Sequence, residues 1–185
     1  GKYLGGGMSF GLFGGRREIM ELFNPKSGGM VTTADGVQKP MSLMHSGTFN
    51  NNVLTMHAGI AGTKTLTETV LTQLNELGDY LRQSVLSILV GKGLVGAATE
   101  EDMRDIATIP RGRIWISGVG SINAIHFGAN DELVDLRDLF YFHMIKNHIY
   151  VTRRGFVALT IVHTKDDIDR YVKSVASFVD RWGGA

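Results

Sequence analysis

The sequence contains no cysteine and only three prolines among its 185 residues. Without cysteine there is no disulfide framework and no thiolate-ligated zinc, so the core must be held by packing alone. A chain of this length can manage that, because folded domains of this size hide roughly 70% of the surface their unfolded chain exposes. An excess of charge of one sign is lacking as well, since 19 Lys and Arg stand against 18 Asp and Glu, a formal charge of +1. No surplus of cations is available to neutralise a run of phosphates, and nucleic acid is not an expected partner. Long hydrophobic runs are also missing. The most apolar stretch, 85–95, is interrupted by Ser87, Gly91, Lys92 and Gly93 and falls short of the roughly 20 residues that cross a bilayer. No membrane partner is therefore expected. There is no Asn-x-Ser/Thr acceptor and no basic-then-apolar leader, which favours a cytoplasmic protein. The first residues, Gly1-Lys2-Tyr3-Leu4, include no methionine and suggest a piece of a longer chain.

Glycine is what the sequence has in excess, 24 residues against about 7% in ordinary proteins. It is concentrated at Gly5-Gly6-Gly7, Gly11, Gly14-Gly15 and Gly28-Gly29, mixed with Met8, Phe10, Leu12 and Phe13. Such a segment permits unusual backbone angles and close approach to another group, and its apolar residues set it apart from a linker. Residues 16–23 read as a short helix ended by Asn24-Pro25, and 27–44 as a loop. From Asn50 a helix is expected with Val53, Met56, His57, Ile60 and Thr63 on one face. Thr65 and Glu68 have capping-box spacing ahead of a long amphipathic run through Val70, Leu74, Leu77, Leu81, Val85 and Ile88. Residues 91–110 carry several acidic side chains and read as exposed loop or a short helix. Alternation over 113–117 and 121–127 around Gly118-Val119-Gly120 predicts a hairpin. A helix is expected over 136–146, strands at 149–151 and 157–162 around an Arg153-Arg154-Gly155 turn, and a final helix capped by Thr164. The class is α/β, divided into 1–64 and 65–185.

Most site chemistries fail on spacing. The six histidines, at 45, 57, 126, 143, 148 and 163, include no pair three or four apart, so no metal site is expected. Gly118-Val119-Gly120-Ser121 lacks the third glycine of a dinucleotide loop and lies in a hairpin. Lys2 remains, next to the glycine cluster. An amine whose pKa is lowered by burial or neighbours can attack a carbonyl, while an exposed terminal lysine does nothing of the kind.

The motif around it bears on that choice. Gly1-Lys2-Tyr3-Leu4-Gly5-Gly6-Gly7-Met8-Ser9-Phe10-Gly11, followed by Phe13-Gly14-Gly15-Arg16-Arg17-Glu18-Ile19-Met20, closely resembles the class III pyridoxal-phosphate aminotransferases. His45-Ser46-Gly47-Thr48-Phe49-Asn50-Asn51-Asn52 resembles a second family motif, and Phe140-Tyr141-Phe142-His143-Met144-Ile145 with Ile149-Tyr150-Val151 a third. The branch most similar contains glutamate-1-semialdehyde aminomutases and β-amino-acid transaminases. The resemblance implies a fold type I transferase, with 1–64 the end of the large cofactor domain and 65–185 a connecting helix and the small C-terminal domain. It implies pyridoxal 5'-phosphate as cofactor, and Lys2 as its Schiff-base partner and the proton shuttle of the reaction. Gly47 and Thr48 match the contact to the cofactor phosphate of a neighbouring subunit, hence a homodimer. Thr48 also reads as part of a helix start. Arg154 matches an arginine near the substrate carboxylate in β-amino-acid transaminases, against the alternative of a solvated turn residue. Arg153 stands where those enzymes tend to have proline, the 27–44 loop is longer than usual, and the family's ring-stacking aromatic and pyridine aspartate precede Gly1. The implied reaction moves an amino group between a small-molecule amine or amino acid and a keto acid. An aminomutase, or a non-catalytic dimerising remnant, are the alternatives.

Overall fold

The computed structural model of the chain describes residues 4–5, 7–9, 11–24, 26, 29–40, 42–43, 45–47, 52–96, 112–128 and 131–183, apart from the side chains of 31, 40 and 131–133. The chain divides into two compact units, Gly1–Thr67 and Glu68–Ala185.

In the first unit, helix α1 (Arg17–Met20) runs into a 3-10 turn, Glu21–Phe23, where the spacing of Ile19, Met20 and Phe23 predicts a short helix. Asn24 closes it by donating to Glu21 Oε2 at 3.2 Å and accepting from Lys26 N at 3.0 Å. Pro25 lies outside the described residues. The expected loop over 27–44 contains a hairpin instead, β1 (Met30–Thr32) antiparallel to β2 (Gln38–Pro40), with Val31 opposite Lys39. Three-residue strands are too short for alternation to register. The signal lies in the turn, where Thr33 Oγ1 donates to the Asp35 carboxylate and to Val37 O at 2.9 Å, and Gly36 N donates to Thr33 O at 2.8 Å. Asp-Gly is a strong hairpin dipeptide.

Helix α2 (Val53–Thr65) starts at Asn52, whose Oδ1 accepts from Leu54 N at 3.0 Å and Thr55 N at 3.3 Å. Its buried side is not the expected one. Val53 and Ile60 are exposed, while Thr55 and Gly59 are buried. The reason is a backbone approach rather than side-chain packing: a Cβ on Gly62 would lie 2.3 Å from Leu4 O. Thr65 does not cap the next helix either, because its hydroxyl donates to Ala61 O at 3.0 Å within α2.

The second unit has the core. Helix α3 (Glu68–Gly91) buries Leu81 and Val85 as its period predicts, but Leu89 rather than the half-buried Ile88 continues the buried stripe. Strands β3 (Ile114–Val119), β4 (Ile122–Phe127) and β5 (Phe156–Ala158) form an antiparallel sheet in the order β3-β4-β5, with Ile116 opposite Ile125 and Ala124 opposite Phe156. Helices α4 (Asp131–Lys146) and α5 (Lys165–Trp182) join α3 in covering the face that carries Ile114, Ile116 and Ile125. Phe178 is its aromatic centre, with ring centroids 5.1 Å from Phe140, 5.5 Å from His143 and 6.4 Å from Phe127. His143 also bonds Ser174 O through Nε2 at 3.0 Å, a packing role. Thr164 caps α5 in a full capping box with Asp167, which satisfies two otherwise orphaned N–H groups.

Two polar features had no sequence signal. Arg82 is fully buried on the core stripe of α3, donating to Asn123 Oδ1 at 3.0 Å and to Asp79. Asn123 in turn donates to Gly120 O at 3.0 Å and Gly78 O at 3.3 Å, so a charge and an amide fasten the β3-β4 turn to α3. A buried guanidinium is tolerated only when paired in this way.

The expected strand at 149–151 is absent. His148, at φ 60°, turns the chain off α4, and Ile149 N donates back to Met144 O at 2.9 Å. Strand β5 is shorter than the expected 157–162, because after Leu159 N donates to Ser121 O the chain turns, with Thr160 N donating to His163 Nδ1 at 2.9 Å. The acidic stretch 97–111 lies outside the described residues. Among the described residues no helix is long and apolar enough to cross a membrane.

Candidate active site

Of the residues singled out from the sequence, Lys2 and Thr48 lie outside the described residues, whereas Gly47 and Arg154 are described and exposed. The first unit brings two of the sequence motifs together. Phe13, from the glycine-rich motif, lies edge-on to His45, two residues before Gly47, with ring centroids 4.8 Å apart. Phe23 closes the group at 5.1 Å from Phe13 and 6.3 Å from His45. Leu43 N donates to Leu22 O at 2.6 Å beside them. Edge-to-face rings at these distances are favourable contacts. None of the three was expected to touch, and an aromatic residue in each segment was the only available hint.

Helix α2 connects the same motifs. Its start follows Gly47 by a few residues, and near its other end Gly62 receives the carbonyl of Leu4. Nine residues of helix, about 14 Å, separate Val53 from Gly62. Asn52 already occupies the N–H groups of Leu54 and Thr55, so the α2 terminus is less open to an anion than a bare helix start would be. The cap of this helix is Asn52, one of the asparagines expected at its entry.

In the second unit, Arg154 sits in the turn between α4 and β5. Gly155 has φ 79°, and a Cβ there would lie 2.1 Å from Ile125 O, so both the angle and the space demand glycine. Gly155 N donates to Thr152 O at 2.8 Å, Phe156 N to Thr152 Oγ1 at 3.0 Å, and Ile125 N to Gly155 O at 3.0 Å. The backbone that carries Arg154 is thereby fixed to β4. Arg153 donates from Nε to Asp138 Oδ1 at 2.9 Å and from Nη2 to Asp138 Oδ2. Those hydrogen bonds, with the charges of Arg153 and Arg137, hold the Asp138 carboxyl below its ordinary range. Arg154 makes no hydrogen bond or ion pair among the described residues.

On the outer face of the sheet, Ser117 Oγ and His126 Nε2 are 2.7 Å apart, and Trp115 stacks on His126 at 5.1 Å. Partial burial lowers the His126 pKa. These residues pack across strands as the register of β3 and β4 dictates.

No family model matches the chain. It is 38% identical over 193 aligned residues to the beta-phenylalanine transaminase of Variovorax paradoxus, covering 99% of this chain and 37% of that protein. It is 30% identical to a glutamate-1-semialdehyde 2,1-aminomutase of Caldicellulosiruptor bescii, covering 96% of this chain and 37% of the relative. Among solved structures, a beta-phenylalanine aminotransferase from Variovorax paradoxus superposes with a TM-score of 0.71 at 36% identity, over 100% of this chain and 38% of that one. The chain thus spans little more than a third of the relatives it matches. Likeness in sequence and in fold runs over the whole of it, and supports a class III pyridoxal-phosphate aminotransferase of fold type I, to whose C-terminal portion the chain is similar.

Proposed function

We propose that the protein carrying this chain transfers an amino group between an amine or amino acid, β-amino acids included, and a keto acid, with pyridoxal 5'-phosphate as cofactor. The observation that carries this is the 38% identity to a beta-phenylalanine transaminase over 99% of the chain. Two features of the first unit fit such a group. A Cβ at Gly62 would fill the space that admits the Leu4 carbonyl, so the segment next to Lys2 is seated on α2. Gly47 is exposed, and with two α2 amides taken by Asn52, the Gly47 amide is left to address a phosphate.

Bound pyridoxal phosphate supplies an aldehyde for the amine and a ring that accepts electron density from the substrate carbon. Lys2 Nζ would hold that aldehyde covalently and, once displaced by the amino donor, move a proton as a general base. Gly47 and Thr48 would hold the phosphate of a second copy's cofactor. The seating of Leu4 and the Gly47 motif at opposite ends of α2 suits a homodimer that shares its sites. Arg154, unpaired among the described residues, would clamp the substrate carboxylate with its planar fork.

Borohydride reduction of the complete cofactor-loaded protein, followed by peptide mass mapping, tests the assignment. A pyridoxyl adduct at Lys2 is expected. Its absence, or an adduct on another lysine such as Lys92, overturns it in favour of a non-catalytic dimerising remnant. The 30% identity to an aminomutase supports a second reading, in which the amino group moves within one substrate. Release of a free keto acid from a β-amino donor decides for the transaminase.

A further inference from the structure

Two arginines stand side by side in the turn before β5, and both are exposed. Their backbone is clamped at Thr152, Gly155 and Ile125, so neither can be withdrawn by a shift of the loop. Asp138 on α4 distinguishes them. It takes Arg153 through both carboxylate oxygens, the fork-to-carboxylate arrangement that gives Arg pairs their geometric selectivity. A second cation, Arg137, flanks the same carboxylate at 3.6 Å. Arg154 is left without a partner among the described residues. Without Asp138, two adjacent guanidinium groups would compete for one incoming carboxylate in two registers. With Asp138 unpaired, its negative charge would compete with that carboxylate for Arg154.

We propose that Asp138 and Arg153 act as a positioning pair for substrate selection, leaving Arg154 as the one guanidinium of the turn offered to the substrate carboxylate. This rests on the reading of Arg154 given above. The pair acts through Arg154 and does not touch the reacting atoms. It confers preference for amino donors that bear a carboxylate over amines of the same skeleton without one.

The test uses the complete cofactor-loaded enzyme with a β-amino acid and the corresponding amine lacking the carboxylate, and binding of 3-phenylpropionate, which has no amino group, by calorimetry. Arg154→Ala should raise KM for the β-amino acid on the order of tenfold or more, as expected for loss of a charged hydrogen-bonded pair. Asp138→Asn and Arg153→Ala should each raise it about threefold to tenfold, weaken 3-phenylpropionate to a similar degree, and leave kcat and the amine's KM within about twofold. Asp138→Glu should restore part of the loss. Arg153→Ala combined with Asp138→Asn should be better than Arg153→Ala alone, since the freed carboxylate is gone. If Arg154→Ala leaves the KM unmoved, the reading of Arg154 fails, and with it this inference. If Arg154→Ala acts but Asp138→Asn and Asp138→Glu do not, or if they impair the amine equally, the inference fails while the reading of Arg154 stands.

Discussion

The two units of the chain are built on different terms. The second buries Leu81, Val85, Leu89, Ile114, Ile125, Phe140 and Phe178 against one another. The first buries Thr55 and Gly59 of its longest helix and leaves Leu12, Phe13, Met30, Val53 and Leu54 exposed. One unit is held by side-chain volume, the other by turns, caps and close backbone contacts. The residues singled out for cofactor chemistry lie in the weakly packed unit, and the candidate substrate arginine lies on the well-packed one. Groups that must meet a ligand sit where backbone is accessible, whereas an arginine that selects among substrates gains from a rigid platform.

The strongest test of this contrast is large-to-small substitution in the 185-residue chain, followed by urea unfolding with circular dichroism. Phe178→Ala removes a ring 1% exposed and should cost about 3–5 kcal/mol. Leu54→Ala, at a side chain 69% exposed, should change stability by less than about 0.5 kcal/mol. Equal losses at the two positions would erase the distinction.

Glycines sharpen the comparison at a smaller scale. Gly155→Ala forces a side chain into a left-handed angle and against the Ile125 carbonyl, and a cost of about 1–3 kcal/mol is expected. At Gly14 an added Cβ meets nothing within 4 Å, and Gly14→Ala should stay within about 0.5 kcal/mol. A large loss at Gly14 in this chain would mean that the glycine-rich segment is packed more tightly than its exposure indicates.

Legibility from sequence follows the same division. In the second unit, α3 and α5 could be read because their apolar residues repeat at helical spacing, and the β3-β4 hairpin because six-residue strands show alternation. Arg82 was missed although it lies at the spacing of Leu81, Val85 and Leu89, since a polar residue on an apolar stripe gives no hint of the Asn123 amide that receives it. The Arg153 pair with Asp138 joins residues 15 apart in sequence, and only the folded turn shows which of two arginines is taken. In the first unit, periodicity misassigned the buried side of α2 because contact there runs through Gly62 and a carbonyl. The Met30–Thr32 strand was too short to read, and its Asp35-Gly36 turn was the usable clue. The motifs themselves were legible, because they specify backbone and chemistry rather than volume.

A pH dependence also belongs to the second unit, on the outer face of its sheet. His126 lies between Trp115 and Ser117 on the sheet, and burial lowers its pKa from the ordinary 6.5. The unfolded chain then binds a proton at His126 in a range where the folded chain does not. The corresponding stability is fully present above pH 6.5, the unfolded value, and is lost as pH falls toward the lower folded pKa. His126→Gln removes the titration while keeping a side chain able to bond Ser117. The difference in unfolding free energy between wild type and His126→Gln should therefore move against the wild type on going from pH 7.5 to 5.5. It should be the smallest of the three effects, because the ring is only partly buried. A difference that stays flat across this range would show that the folded and unfolded chains protonate His126 alike, and that the outer face of the sheet is as open to water as the first unit.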